Sequence, residues 1–111
     1  ESKLKALEKI AFEYGIKITK GGRFYHLIGI NQDKGRAVSE TVKIFEKVFN
    51  TKTKTIALGD GQNDIAMLEN VDARIIIKNH KGWYIYCKIK NILKSTYKGS
   101  TGWSEMVLKN V

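Results

Sequence analysis

The hydrophobic pattern of the first thirty residues predicts a helix followed by a β-hairpin. Apolar side chains recur at steps of three and four over residues 3–14, as they do on one face of a helix, and Gly15 can end that helix. Apolar and polar residues then alternate over 16–19, and a second extended run covers 23–30. A Gly-Gly pair separates the two runs, which is typical of a hairpin turn.

The next part of the chain alternates between helical and strand-like patterns. Apolar pairs spaced along 37–49 predict a helix, and a short β-prone strand is expected at 53–58. Helical spacing resumes at 65–68, and the Ile-rich run at 73–77 has the continuous hydrophobicity of a buried parallel strand. This order of elements predicts an α/β fold built on a parallel sheet.

The pattern of the last thirty residues is less decisive. Its period leaves residues 83–93 open between a strand and a helix. We expect a loop at 99–102, because glycine occupies both ends of that run, and a helix over 103–111.

The composition limits the chain to one domain or a part of one. Its 111 residues are 42% hydrophobic and 28% charged, which is enough to build a core and excludes a disordered tail. Apolar stretches are only a few residues long, so no transmembrane helix is expected. The single cysteine, Cys87, excludes an internal disulfide and suits a cytoplasmic protein.

The chain is strongly basic, with a formal net charge of +9. No acidic residue occurs between Ala73 and Ser104, so a nucleic-acid-binding face with Trp83, Tyr84 and Tyr86 as stacking platforms is one interpretation. Only three of the 20 cationic residues are arginine, however. Because arginine is the preferred reader of bases and phosphates, this favours the Lys-rich surface that many heat-adapted proteins carry.

Two carboxylates follow the strand predicted at 53–58. Asp60 lies between two glycines, and Asp64 begins the next helix. Residues at the carboxyl end of a parallel strand lie where open α/β sheets bind ligands, and two hard oxygen ligands suit Mg²⁺. Gly61 would let a phosphate approach the backbone, and the amide of Asn63 could hold a phosphate oxygen. The alternative, a tight turn followed by a helix cap, stays open on these residues alone.

The sequence GDGQNDIAML at 59–68 resembles the GDGxND..ML motif of haloacid dehalogenase-superfamily phosphatases, in the Cof-like branch with a large cap. In that family the first aspartate coordinates Mg²⁺ and the second helps to bind or orient the metal. The resemblance therefore implies these roles for Asp60 and Asp64, with Mg²⁺ as the cofactor.

Lys34 supports this resemblance from another part of the chain. DKGRAV at 33–38 looks like the family's KGxAV segment, about 25 residues before the acidic loop. A cation at a helix start opposes the helix dipole, but it is favourable where anions converge. The resemblance implies that Lys34 neutralises the charges of the nucleophile and the phosphate. The alternative is chance, given the abundance of lysine.

Two further segments, GGRFYHL at 21–27 and GSTGWSE at 99–105, are similar to the mannosyl-3-phosphoglycerate phosphatase branch of the family. Arg23 could bind a carboxylate or phosphate of the substrate in a bidentate manner, and His26 could donate to a glycerate or sugar oxygen. Both are equally compatible with ordinary hairpin positions.

The resemblance covers nearly the whole chain and implies two parts. Residues 1–30 would be the C-terminal part of the cap domain, and residues 31–111 the C-terminal half of a Rossmann-like core. The implied reaction is Mg²⁺-dependent hydrolysis of a sugar- or glycerate-type phosphomonoester through an aspartyl-phosphate, with mannosyl-3-phosphoglycerate converted to mannosylglycerate.

The aspartate nucleophile of that family is missing from these residues. Aspartate occurs only at positions 33, 60, 64 and 72, so there is no Asp-x-Asp pair. We therefore expect the chain to be inactive by itself and to pair with an N-terminal half that carries the nucleophile, to self-associate through an exposed strand edge at 55–58, or to be a fragment. A catalytically dead interaction subunit is the remaining alternative.

Overall fold

The chain folds into a helix with a small hairpin and a larger layered α/β unit, the core unit. A computed structural model describes residues 2–111, so that Glu1, the first residue of the predicted cap segment, lies outside the described residues. The elements in chain order are α1 (Ser2–Glu13), β1 (Ile16–Lys20), β2 (Tyr25–Gly29), α2 (Lys34–Phe49), β3 (Ile56–Gly59), a 3-10 turn (Gln62–Asp64), α3 (Ile65–Glu69), β4 (Ala73–Lys78), β5 (Ile92–Lys98) and α4 (Gly99–Asn110).

The predicted hairpin is confirmed. β1 and β2 pair antiparallel, with Ile16 opposite Gly29 and Lys20 opposite Tyr25. Gly15 ends the preceding helix with a φ of 72°, which glycine adopts at little cost. Helix α1 packs on β1, and the helix and hairpin together form one unit at the amino-terminal end of the described residues.

The α/β prediction is also confirmed. Three parallel strands form a sheet in the order β3-β4-β5, with helices on both of its faces. Ile76 of β4 packs with Leu68 of α3 on one face, whereas its neighbours Ile75 and Ile77 pack with Met106 of α4 on the other. Because successive side chains of a strand point to opposite faces, the continuous isoleucine run of β4 is what a sheet covered on both sides requires.

The expected loop at 99–102 was wrong, because these residues form the first turn of α4. A Cβ atom on Gly102 would lie 2.1 Å from the carbonyl oxygen of Tyr97, so glycine is present to let α4 pack closely against the end of β5. The segment 83–93, which the pattern left open between a strand and a helix, is mostly neither. Residues 79–91 are mostly irregular, and strand β5 begins at Ile92. Asn79 organises that irregular segment by accepting hydrogen bonds from the amides of Lys81 and Trp83.

β3 lies at an edge of the sheet, as expected for 55–58. Within residues 2–111, β4 is the strand that pairs with β3, and no strand covers its other side. The outer face of α2 is also largely uncovered, with Ile44, Phe45, Val48 and Phe49 exposed. No helix in this part of the chain is long and apolar enough to cross a membrane.

Candidate active site

The carboxyl end of β3 and the 3-10 turn after it carry the two predicted carboxylates, which are four residues apart and lie in different environments. Asp60 is exposed, whereas Asp64 is buried, with 6% of its surface accessible. Gly59 makes the turn possible, because a Cβ atom there would lie 2.5 Å from the Cβ atom of Asp64. The glycine is thus required for the side chain of Asp64 to fold back across the loop.

Both carboxylate oxygens of Asp64 are engaged. Oδ1 accepts a hydrogen bond from the ammonium group of Lys34, and Oδ2 accepts from the backbone amides of Asp60 and Gly61 at 3.0 and 3.1 Å. Charge-assisted hydrogen bonds of this kind are the stronger ones in proteins. Asp64 therefore holds the loop in shape and positions Lys34, whose side chain remains half exposed.

Lys34 reaches this point because the start of α2 packs against α3. Asp33 caps α2 by accepting a hydrogen bond from the amide of Arg36 at 2.8 Å. A Cβ atom on Gly35 would lie only 2.2 Å from the carbonyl oxygen of Ala66. Gly35 therefore lets the two helices come into contact, and this contact brings the ammonium group of Lys34 within reach of Asp64. The sequence reading assigned a role to Lys34 and none to Gly35.

A cleft of about 360 Å³ opens where these residues meet. Lys34, Asp60 and Asp64 line it, and so do Ser100 and Trp103 of α4. The sequence reading did not assign these α4 residues to the site. The run at 99–105, which is similar to one branch of the family, is the sequence signal that could identify them.

The carboxylate of Asp60 is the one best placed to bind a metal ion. No side chain or amide of residues 2–111 donates a hydrogen bond to it, and it is accessible from the cleft. Asp64 already accepts hydrogen bonds from Lys34 and two amides, so that only its Oδ1 oxygen has a lone pair left for a metal ion. No group of three or more metal-binding His, Cys, Asp or Glu residues occurs within this part of the chain. The donor set thus fits a hard cation that takes a few protein oxygens and water or phosphate besides.

A second cleft of about 520 Å³ lies between the hairpin and the core unit. His26 of β2 lines one wall, Asn63 lines the opposite wall, and Lys34 lines this cleft as well as the smaller one. The structure thus brings five of the predicted residues to two clefts that share Lys34, namely Lys34, Asp60, Asp64, Asn63 and His26.

The other two predicted residues lie differently. Arg23 is exposed in the hairpin turn and lines neither cleft. The amide of Gly61, where we expect a phosphate to approach the backbone, donates a hydrogen bond to Asp64. A Cβ atom at Gly61 would lie 2.6 Å from Oδ1 of Asn63, so glycine serves here to make room for that amide side chain.

Comparison with known proteins identifies the family of the chain. The sequence profile of haloacid dehalogenase-like hydrolases matches residues 1–96, which is most of the chain. The chain belongs to this hydrolase family. The resemblance inferred from the acidic loop and from the Lys-Gly segment is thereby confirmed.

Two curated relatives are more specific. The chain is 49% identical over 107 residues to the glucosyl-3-phosphoglycerate/mannosyl-3-phosphoglycerate phosphatase of Persephonella marina, an alignment covering 96% of this chain and 40% of that protein. It is 38% identical over 95 residues to the phosphatase of the same name from Methanococcoides burtonii, covering 85% of this chain and 34% of that protein. The chain thus spans well under half the length of the curated relatives it matches.

A solved structure supports the fold. The haloacid dehalogenase-like hydrolase protein yhjK from Bacillus subtilis is 27% identical in sequence and superposes with a TM-score of 0.52. The similarity covers 96% of this chain and 40% of that structure. The layered unit with its parallel sheet is therefore the haloacid dehalogenase fold in part.

Proposed function

We propose that this chain is the C-terminal part of a Mg²⁺-dependent phosphatase that removes the phosphate of mannosyl-3-phosphoglycerate or its glucosyl counterpart. The relatives named above carry this activity in their names, and the chain matches them over most of its own length. The observation that carries the proposal is that Lys34 contacts Asp64 in a cleft that Asp60 shares.

Each of these residues has a chemical task in the proposed reaction. Asp60 would hold Mg²⁺, which neutralises negative charge on the phosphate and on its attacking group. Lys34 would donate to a phosphoryl oxygen, where a fixed cation stabilises the charge that develops during transfer. Asp64 positions Lys34 and keeps the loop of Asp60 in place through the two amide hydrogen bonds.

The nucleophile would come from a polypeptide segment outside these 111 residues. The exposed edge of β3 and the uncovered face of α2 support this, because both offer a surface on which a further strand and its helices could pack. In the absence of that segment we expect the chain to self-associate through the same edge. A stable, compact monomer without a partner in size-exclusion chromatography would contradict self-association and pairing with a separate chain, and would leave the possibility that these residues are a fragment of a longer protein.

The test is phosphate release in a protein that joins this chain to a segment with an Asp-x-Asp nucleophile. We expect mannosyl-3-phosphoglycerate to be hydrolysed with Mg²⁺ and not after removal of the metal with EDTA, and Asp60→Ala to abolish turnover. Glu69→Ala is the matched control, since Glu69 is also exposed and carries a carboxylate but lines neither cleft. Undiminished activity of Asp60→Ala would refute the metal assignment.

One observation keeps nucleic-acid binding as a second candidate. Trp83 and Tyr86 are exposed in the irregular segment that lies within the acid-free part of the chain. Tyr84 is less suitable, because the ammonium groups of Lys78 and Lys94 lie over its ring and its hydroxyl donates to the carbonyl of Ser95. Steeply salt-dependent binding of an oligonucleotide, unaffected by Mg²⁺ removal, would favour this function.

A further inference from the structure

One face of the hairpin points toward the proposed active site. In the register of β1 and β2, Lys17 is opposite Ile28 and Thr19 is opposite His26. Side chains of directly paired residues lie on the same face of a sheet, and so do residues two apart on one strand. All four line the larger cleft, facing the 3-10 turn of the core unit. The hairpin thus presents two cross-strand pairs to any ligand in this cleft.

Lys17 is the cation on that face. Its ammonium group lies 3.7 Å from Oδ2 of Asp33, and 30% of its side chain is exposed. The two groups form an ion pair whose separation is longer than that of a strong hydrogen bond. Its donors therefore remain available to a ligand.

Asp33 does not depend on Lys17 for its own hydrogen bonding. Its carboxylate caps α2 through the amide of Arg36, and this contact, with a smaller contribution from the charge of Lys17, holds the pKa of Asp33 below its usual range. Lys17 can consequently turn toward a bound anion while Asp33 stays ionised and capped.

Lys34 lines both clefts, and Lys17 lines the larger one. A ligand whose phosphate contacts Lys34 can therefore extend into the larger cleft toward the hairpin. The charged groups lining the larger cleft are Lys17 and Lys34 against the single carboxylate of Asp33. Because Lys34 is paired with Asp64 and the ion pair of Lys17 with Asp33 is long, Lys17 is the cation of this cleft that can bind a second negative charge of a ligand.

We propose that Lys17 is a specificity-determining residue that binds the carboxylate of the glycerate moiety. This rests on the proposed function, in which the phosphate and the carboxylate belong to the same three-carbon unit. When a phosphate monoester without the carboxylate is bound, Asp33 remains the anionic group nearest to the ammonium of Lys17. Lys17 thus favours the binding of phosphoglycerates over that of other phosphate monoesters, without contacting the reacting atoms.

The test compares two substrates in the protein joined to its nucleophile segment. One is mannosyl-3-phosphoglycerate, and the other is the analogue in which the glycerate carboxylate is reduced to an alcohol. We expect Lys17→Met to lower kcat/KM for the first substrate by roughly 10- to 100-fold, the usual effect of losing a hydrogen bond to a charged group, and to act mainly through KM. The kcat/KM for the alcohol should stay near the wild-type value.

Lys20→Met is the matched control. Lys20 is on the same strand but on its opposite face, where its ammonium lies 6.0 Å from the centre of the Tyr25 ring, and it does not line the cleft. We expect this variant to keep the wild-type preference for the carboxylate. An equal loss in both lysine variants would show a general charge effect and overturn the role of Lys17.

The remaining outcomes separate the two proposals. If the wild-type protein hydrolyses neither substrate, the proposed function fails and the role of Lys17 fails with it. If it hydrolyses both with equal kcat/KM, or if Lys17→Met leaves the preference unchanged, only the role of Lys17 is refuted. The wild-type comparison needs no variant, so poor folding of Lys17→Met does not remove the test.

Discussion

The ammonium group of Lys34 contacts the Oδ1 oxygen of Asp64, which lies 30 residues further along the chain. This contact joins the first turn of α2 to the loop after β3, and it holds a cation beside the free carboxylate of Asp60. The pair therefore has two functions, since it supports the fold of the loop and fixes the charge that a phosphate would meet.

The close packing of α2 on α3 should make Gly35 intolerant of any side chain. We expect Gly35→Ala to lower the free energy of unfolding by about 1–3 kcal/mol, because the added methyl group would overlap the carbonyl oxygen of Ala66. Urea unfolding followed by circular dichroism measures this. Gly22→Ala is the control, since nothing lies within 4 Å of a Cβ atom there and a small gain or no change is expected. Equal stability of Gly35→Ala and the wild type would contradict the packing.

The two aspartates of the acidic loop should differ in their effect on stability. Asp64→Ala removes the acceptor of one ammonium and two backbone amides, and we expect it to cost about 1–3 kcal/mol of unfolding free energy. Asp60→Ala should change this free energy by less than about 0.5 kcal/mol, because its exposed carboxylate accepts no hydrogen bond from the residues described. Denaturant unfolding of both variants without metal checks this. Similar losses for both would mean that Asp60 also supports the loop.

Glu105 should make the junction of β5 and α4 sensitive to acid. Its carboxylate accepts hydrogen bonds from Lys109 and from the amides of Tyr97 and Thr96, and these lower its pKa from 4.5 to about 2. Because the folded-state pKa is the lower one, the stabilisation is complete above pH 4.5 and is lost as the pH falls toward 2.

Glu105→Gln isolates this effect from the other carboxylates. We expect the wild type to exceed Glu105→Gln in unfolding free energy at neutral pH, and the difference to shrink as the pH is lowered through the interval between 4.5 and about 2. Unfolding curves of both proteins across this range measure the difference. A difference that stays constant with pH would refute the assignment.

Periodicity predicted most of the elements because their burial is simple. β4 has isoleucines that pack on both faces of the sheet, so its continuous apolar pattern follows directly from the local environment. The start of α4 was missed for the opposite reason. Gly99 and Gly102 favour a loop by local propensity, yet the close approach of α4 to Tyr97 requires a glycine inside the helix.

By itself the sequence determined the order of helices and strands up to β4, the family, and the residues of the acidic loop, because these depend on short-range spacing and on residue type. The tertiary structure decided which groups meet. It placed Lys34 on Asp64, left the carboxylate of Asp60 free, and directed Lys17 rather than Arg23 into the larger cleft. These relationships depend on how α2 and the hairpin pack against the loop after β3, and contacts between residues far apart in the chain leave no periodic signal in the sequence.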